Sequence, residues 1–365
     1  MQKPKIAISI GDINGISMEI LLSSHNIISQ FCEPYYFLHE NLLKSASKLL
    51  NIYLDNLILV EFKNANNTKL LKQNNNIFNF YCDLGYEVNN DFAIKPGELC
   101  PKSGLYSFLS FKAATLFVKY NFAKALITLP INKKAWNLVN IFYKGHTEFL
   151  RAFFKQDAIM MLGCDKLFIA LFTEHIALKE VSSKINIKDL SSFLIDLYIQ
   201  TNFENIAILA FNPHASDYHT IGGDEEDIII KATKISNLYF HLKSKYLDKD
   251  KYLDFVLKDD NFENIKNYSY KKIFLEQPLV ADSAFTPNSL KKYKYMVSLY
   301  HDLALAPLKA LFFEESINVS LNLPIIRTSV DHGTAFDIAY KNQNPSNKSY
   351  INAIKYAIKN NHPIK

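Results

Sequence analysis

Short apolar runs of β type alternate along the chain with stretches of helical character, and this alternation limits the folds available to it. The first run, Lys5–Ile10, leads into a turn with glycines at 11 and 15 and then into a helix predicted to begin at Ser17. Further strands are predicted at Ala125–Leu129, Leu167–Thr173, Ile206–Phe211, Tyr295–Leu299 and Pro324–Thr328. Buried parallel strands form such apolar runs, so the sequence predicts an α/β protein.

The length of 365 residues indicates two domains of ordinary size or one enlarged α/β unit. A hydrophobic share of 48% excludes a disordered chain. The net charge of +5 comes from interspersed basic and acidic residues and gives little reason to expect a nucleic-acid partner. Residues 243–272, rich in Lys, Tyr, Asp and Asn, are expected to form an exposed helical insertion, and residues 64–77 a solvated loop.

The four cysteines, Cys32, Cys82, Cys100 and Cys164, are far apart and form no CxxC pair. They indicate neither a disulfide framework nor a thiolate zinc site, and they fit a reducing compartment. The first apolar run is interrupted at Asp12, unlike a signal peptide, and no run approaches the ~18 apolar residues of a membrane helix. We therefore expect a cytoplasmic protein with no membrane partner.

Three of the predicted strands lead into a histidine: His175, His214 and His301. Open α/β sheets bind ligands outside the carboxyl ends of their strands, so these imidazoles could form a His₃ metal site with an open position. A single histidine is more often an ordinary buried or surface residue, but the repeated placement favours a shared site. Asp302 could orient a ligand, act as a base, or be a solvated turn residue.

Other groups indicate anion binding. Thr147 stands where the N-cap of a predicted helix would lie, beside His146; a helix N-terminus suits phosphate, although an ordinary capped helix is the simpler interpretation. Lys309 and Arg327 add cations near later strand ends. The acids in the segment 222–226 are explained most simply as favourable charges in a first helical turn. The usual Rossmann and P-loop motifs are absent, so a nucleotide site must be of a less common type.

Nine short motifs occur in order along nearly the whole chain. They are Gly11-Asp12…Gly15, Leu129-Pro-Ile-Asn-Lys133, Gly145-His-Thr-Glu148, Asn212-Pro-His-Ala215, Ala281-Asp282, Tyr300-His-Asp302, Asn318-Val, Leu323-Pro and Arg327-Thr-Ser-Val-Asp-His-Gly-Thr334. Together they resemble the 4-hydroxythreonine-4-phosphate dehydrogenases of pyridoxal 5′-phosphate (vitamin B6) biosynthesis. The resemblance implies the isocitrate/isopropylmalate dehydrogenase-like fold, with two α/β/α domains and an interdomain cleft.

The resemblance implies a metal-dependent, NAD-linked oxidation of 4-phosphooxy-L-threonine to 2-amino-3-oxo-4-phosphooxybutanoate. This product decarboxylates to 3-amino-2-oxopropyl phosphate. The family's ligands for zinc, cobalt or magnesium fall on His175, His214 and His301. Its substrate contacts fall on His146, Thr147, Lys309, Asn318 and Arg327. Asp302 and Asp282 are candidates for proton handling.

The resemblance further implies a NAD or NADP site at Asp331, His332, Gly333 and Thr334, which alone would be read as an ordinary turn. Because the family is homodimeric, we expect the active site to be completed across the interface, with His301 supplied by the partner chain. The implied first domain comprises residues 1–127 and 306–365 and carries the cofactor loop. The second, residues 128–305, carries the metal ligands and the dimerisation surface.

The chain departs from the family pattern in its loops. Ile13, Ser17 and Met18 alter the opening turn, while Asn322 and Gln277 replace glycines. Every metal and phosphate candidate is retained. Three alternatives stay open: a dehydrogenase of threonate or erythronate 4-phosphate, a His₃ zinc hydrolase, and a non-catalytic binding protein. The hydrolase would leave the predicted cofactor loop unexplained, and the binding protein would leave the strand-end histidines without a purpose.

Overall fold

The computed structural model describes residues 2–54, 57, 59–62, 77–80, 92–242, 248–258, 261–262 and 269–360. Its strands are β1 (Lys5–Ser9), β2 (Glu33–Phe37), β3 (Leu59–Phe62), β4 (Ile77–Phe80), β5 (Ala125–Thr128), β6 (Ile159–Cys164), β7 (Leu167–Leu171), β8 (Ala207–Ile208), β9 (Tyr295–Ser298), β10 (Ile317–Leu321) and β11 (Ile326–Val330). Its helices are α1 (Ser17–Ile28), α2 (Glu40–Leu50), α3 (Pro101–Lys119), α4 (Lys133–Asn137), α5 (His146–Phe154), α6 (Leu178–Lys184), α7 (Ile187–Thr201), α8 (Glu225–Leu242), α9 (Lys249–Val256), α10 (Ala281–Ala284), α11 (Pro287–Lys292), α12 (His301–Phe312) and α13 (Lys348–Lys359). The predicted α/β class is confirmed.

The chain divides into two compact units, the first of which comprises Met1–Ala158 and Glu314–Lys365. Its strands lie in the order β3-β4-β2-β1-β5-β11-β10, and neighbours are parallel except for the antiparallel pair β10 and β11. Strand β5 is buried at every position and β1 at all but its first, as their apolar runs predict. Helix α3 packs on both strands, and α13 packs on β11.

The second unit comprises Ile159–Phe313. Its strands lie in the order β6-β7-β9-β8, with β6 and β7 antiparallel and the other neighbours parallel. Strand β8 is much shorter than the predicted run because its backbone changes partner: Leu209 N donates to Val297 O, whereas Ala210 N donates to Leu279 O. The unit boundaries lie at 158/159 and 313/314, and the domain boundaries predicted near 127 and 306 stay a prediction.

The predicted insertion at 243–272 contains helix α9 in its described part, but this helix is not exposed throughout. Tyr252, Leu253 and Val256 are buried in a cluster with Ile195 of α7 and Ile235 of α8. The charge-rich composition concealed this apolar face, whose spacing is that of one side of a helix.

Two further predictions fall wholly or almost wholly outside the described residues: the loop at 64–77, of which only residue 77 is described, and Cys82. Cys32, Cys100 and Cys164 are free thiols. In the part of the chain that the structure describes, no helix is long and apolar enough to cross a membrane.

Candidate active site

A row of polar side chains crosses the sheet of the first unit where its parallel strands end. Ser9 on β1 is aligned with Thr128 on β5, Thr128 with Ser329 on β11, and Ser329 with Asn318 on β10. Among the described residues, the buried atoms Ser9 Oγ and Asn318 Oδ1 have no hydrogen-bond partner. Buried polar atoms are nearly always paired, so this row, at the edge where α/β sheets bind ligands, is suited to a polar ligand.

Arg327 lies two residues before Ser329 on β11, so both side chains are on the same face. It is 2% exposed, and its guanidinium donates from Nη1 to Ser320 Oγ at 2.9 Å and from Nη2 to Thr128 Oγ1 at 2.7 Å. Its Nε is buried with no partner in the described part of the chain. Burial lowers the pKa of Arg327 to about 9, which leaves it charged at neutral pH. A buried cation whose partners among the described residues are hydroxyls favours an anionic ligand.

Helix α5 begins at His146 and has Gly145 as its N-cap, so the prediction of Thr147 as the cap is wrong. The physical reason is that the carbonyl of Gly145 accepts the hydrogen bond from Phe149 N, which places the N-cap two residues before Thr147. The Thr147 hydroxyl lies instead 3.4 Å from Ser320 Oγ. A hydrogen-bonded chain therefore runs from Thr147 through Ser320 to Arg327.

The imidazole of His146 is buried edge-on against two aromatic rings. Its centroid lies 4.6 Å from that of Phe111 and 5.8 Å from that of Trp136. Its Nε2 has no hydrogen-bond partner among the described residues. Burial, followed by the charges of Arg327 and Lys133, holds the pKa of His146 well below its usual value. A neutral imidazole, two hydroxyls and a guanidinium thus form an anion-binding cluster, defined here as His146, Thr147, Ser320 and Arg327.

The predicted metal ligands lie in the second unit, on the segments that follow its strands. The rings of His175 and His301 have their centroids 5.6 Å apart. Two imidazoles on one tetrahedral zinc have centroids roughly 5 Å apart, given a Zn–N distance of about 2 Å. These two histidines therefore fit a shared metal. The expectation that the partner chain supplies His301 does not predict that His301 lies beside His175 of the same chain.

His214 has a different neighbour, since its Nδ1 lies 4.0 Å from Asp282 Oδ2. In the same way, His301 Nδ1 lies 3.1 Å from Asp302 Oδ1. No group of three His, Cys, Asp or Glu side chains within the described residues could hold a metal ion. One chain thus brings together two of the three predicted ligands.

Lys309, predicted to contact substrate, lies on α12, two turns beyond His301. Its Nζ lies 5.4 Å from the centroid of the Phe313 ring. The structure places it in the second unit and the rest of the predicted substrate set, His146, Thr147, Asn318 and Arg327, in the first.

The predicted cofactor loop, Asp331–Thr334, packs on the glycine turn that follows β1. Ile16 N donates to Thr334 O at 3.0 Å, and a Cβ on Gly15 would lie 2.6 Å from the same oxygen. Asp331 Oδ2 accepts a hydrogen bond from Ser316 Oγ at 2.6 Å. Gly15 is therefore required for the close approach of two motifs that are more than 300 residues apart in sequence.

A family model described as pyridoxal phosphate biosynthetic protein PdxA matches residues 30–238 and 262–357, most of the chain. The chain belongs to the PdxA family. A relative from Campylobacter jejuni (strain RM1221), named 4-hydroxythreonine-4-phosphate dehydrogenase, is 54% identical over 97% of this chain and 98% of its own. One of the same name from Helicobacter pylori (strain J99) is 42% identical over 98% and 99%.

A crystal structure of a 4-hydroxythreonine-4-phosphate dehydrogenase from Burkholderia phymatum matches this PdxA chain with a TM-score of 0.67. The two are 25% identical, and the match covers 98% of each. The family predicted from the nine motifs is thus confirmed.

Sequence reasoning missed three polar residues of this PdxA chain. Two of them hold Arg327: Ser320, which lies within an apolar run, and Thr128, which ends one. Each is two residues after another residue on the same face of its strand, Asn318 and Leu126 respectively, and this pattern can be interpreted only once the strand register is known. Glu226 does lie in the first helical turn to which the acids of 222–226 were assigned, but its burial was not predicted. Burial by itself raises the pKa of Glu226, but hydrogen bonds from Asn212, Ser216 and Phe211 outweigh it and lower the pKa.

Proposed function

We propose that this PdxA-family chain oxidises 4-phosphooxy-L-threonine at its 3-hydroxyl, using NAD or NADP and a divalent metal. The product, 2-amino-3-oxo-4-phosphooxybutanoate, then loses CO₂ to give 3-amino-2-oxopropyl phosphate. The relatives of the same name, matched over nearly their full length, support this activity. The structural observation that carries it is Arg327, a buried cation bonded to hydroxyls and not to carboxylates.

The anion-binding cluster would hold the substrate phosphate. Arg327 offers a rigid fork of donors that matches phosphate geometry, and in a buried setting such charge-assisted bonds are strong. His146, kept neutral by burial, can donate one N–H without adding a charge that would itself need compensation. Asn318 and Lys309 complete the proposed substrate set.

A divalent metal held by His175, His214 and His301 would lower the pKa of a hydroxyl group that it binds. Asp302, 3.1 Å from Nδ1 of His301, would accept a hydrogen bond from Nδ1–H and leave Nε2 as the coordinating atom. Asp282 has the corresponding position beside His214. Both carboxylates are exposed and also remain candidates for taking a proton from substrate. Zinc and cobalt suit this donor set best, and magnesium less well.

Bound NAD or NADP would supply the hydride acceptor, and we assign its binding to Asp331, His332, Gly333 and Thr334. These residues are fixed against the Gly15 turn, and Gly333 has open space where a side chain would be. A backbone surface of this kind can be approached closely by a ligand.

We further propose that the chain acts in the cytoplasm as a homodimer whose second copy supplies the missing metal ligand. Because His175 and His301 are adjacent within one chain, His214 is the candidate for that role. Exposed large apolar side chains close in sequence to two of the histidines support an interface there. Tyr218, four residues after His214, is 96% exposed, and Leu178, three residues after His175, is 68% exposed.

The deciding experiment is an assay of nicotinamide reduction by the purified, metal-replete protein. 4-Phosphooxy-L-threonine and 4-phosphoerythronate are supplied in parallel with NAD or NADP, each with and without a chelator. We expect reduction with the amino acid that the chelator abolishes. A preference for the sugar acid would retain the metal and cofactor assignments but replace the substrate, and no reduction with either would refute the proposed activity.

A further inference from the structure

The carboxylate of Glu226, in the first turn of α8, organises the segment that carries His214. The residue is 4% exposed, and Oε1 accepts hydrogen bonds from the backbone N–H groups of Phe211 at 2.9 Å and Asn212 at 2.8 Å. Oε2 accepts from Asn212 Nδ2 and from Ser216 Oγ, both at 2.7 Å. One buried side chain therefore bonds the backbone before His214 and a side chain after it.

The segment held in this way has an unusual backbone. Every residue from His214 to His219 has a positive φ, between 43° and 66°. L-residues rarely adopt the left-handed conformation because the Cβ atom approaches the following carbonyl oxygen, so six such residues in succession require strong support from their surroundings. The four hydrogen bonds to Glu226 are such a support.

The neighbouring acid connects this segment to the one that carries His175. Glu225 Oε2 accepts from Asn212 Nδ2 at 2.9 Å, and its Oε1 accepts from Ser182 Oγ at 2.6 Å. Ser182 lies on α6, the helix that follows His175. Both acids thus accept a hydrogen bond from Asn212 Nδ2, and each has a further partner: Ser216 for Glu226 and Ser182 on α6 for Glu225.

We propose that Glu226 is a positioning residue that holds the His214 segment in its metal-binding conformation, while Glu225 ties this segment to α6. The proposal rests on the proposed function of His214 as a metal ligand. It assigns to the two acids a role in metal affinity, beyond the favourable charge that any acid supplies to a helix N-terminus.

The test is Glu226→Gln, measured by Co²⁺ and Zn²⁺ titration of the metal-stripped full chain against a competing chelator. Gln keeps an oxygen for the two backbone N–H groups, but its amide would face the donor Asn212 Nδ2. We expect metal affinity about 10-fold weaker, within the range for residues that orient metal ligands. Activity should recover at saturating metal with the substrate KM unchanged. Asp224→Asn, which removes an exposed charge two residues away, should leave affinity unchanged.

Ser216→Ala removes a single hydrogen bond to Glu226. If Glu226→Gln fails to fold, the result for Ser216→Ala is the test of the proposal. His214→Ala is titrated beside them. If His214→Ala weakens metal binding while Glu226→Gln and Ser216→Ala both bind as tightly as the parent chain, the positioning role is refuted and the proposed function is untouched. If His214→Ala binds metal normally, both the proposed metal site and this inference are refuted.

Discussion

The anion-binding cluster of the first unit and the histidines of the second unit are built on different kinds of support. Arg327 and Ser320 stand opposite each other on paired strands, and Thr128 is on the strand next to Arg327. His175, His214 and His301 stand on segments that follow strands, and the side chain of Asp302 beside them is 88% exposed. Strand register fixes the first group, whereas the second depends on the conformation of the segments that follow the strands.

This difference separates the group that one chain forms by itself from the group that a single chain leaves incomplete. The cluster around Arg327 is buried and hydrogen-bonded within one chain. The histidines form a pair and a single residue, with no complete set of three in the described residues. We therefore expect substitutions in the first group to affect substrate binding within a chain, and substitutions in the second to depend on the subunit partner.

The largest effect is expected from the histidines. His214→Ala and His301→Ala should each reduce activity to background, because each removes a metal ligand. If a second copy supplies His214, a mixture of the two inactive variants after subunit exchange should regain about a quarter of the parent activity, since random pairing leaves one intact site in half of the dimers. The measurement is the initial rate before and after exchange, with dimer formation checked by light scattering.

The matched control for this exchange is His175→Ala mixed with His301→Ala. These two ligands come from the same chain in the proposed arrangement, so no combination of subunits contains an intact site. Recovery in the control, or none in the His214 mixture, would contradict the proposed division of ligands.

The next largest effect is expected from Arg327→Lys. Lysine keeps the charge but lacks the planar fork that bonds Ser320 and Thr128, so we expect kcat/KM to fall by about 10²- to 10³-fold, mainly through KM for the phosphorylated substrate. The chain has only two arginines, and Arg151, which bonds the carbonyl of Ala158, is the matched control. Arg151→Lys should change kcat/KM little, and an equal loss in both variants would refute the special role of Arg327.

The sequence alone predicted six of the eleven described strands, the histidines that follow three of them, and the family. These features rest on local patterns: an apolar run of strand length, and a polar residue at its end. Arg327 and His146 were found for the same reason, since each lies in a motif of consecutive residues. The α/β class followed from the repetition of such patterns along the chain.

The remainder required the fold. Glu226 bonds residues that lie 10–15 positions earlier, and nothing in an acid-rich helix start distinguishes a buried carboxylate from a solvated one. Thr147 was assigned to a cap because residue preference suggests the capping position but does not fix where the helix begins. Helix α9 was expected to be exposed because residues 243–272 are rich in Lys, Asp and Asn, although Tyr252, Leu253 and Val256 share a buried face of the helix.

The smallest effect contrasts a buried acid of the first unit with an exposed acid of the second. Burial raises the pKa of Asp12 from 3.8 to about 6, against the opposing hydrogen bonds from Asn14 and Ser103. The stabilising contribution of this carboxyl is fully present below pH 3.8 and is lost as the pH rises through 6, so the parent chain is destabilised at neutral pH.

Asp12→Asn should therefore raise the free energy of unfolding by about 1–2 kcal/mol at pH 7.5, a gain that disappears toward pH 4. Asp302→Asn should change it by less than about 0.5 kcal/mol at either pH, because its side chain is 88% exposed and solvent screens its charge. Urea unfolding of both variants and the parent at the two pH values provides the measurement. An equal gain for Asp12→Asn at both pH values would mean that Asp12 is not the titrating group. A large effect of Asp302→Asn would mean that this exposed carboxylate contributes more to stability than its contacts indicate.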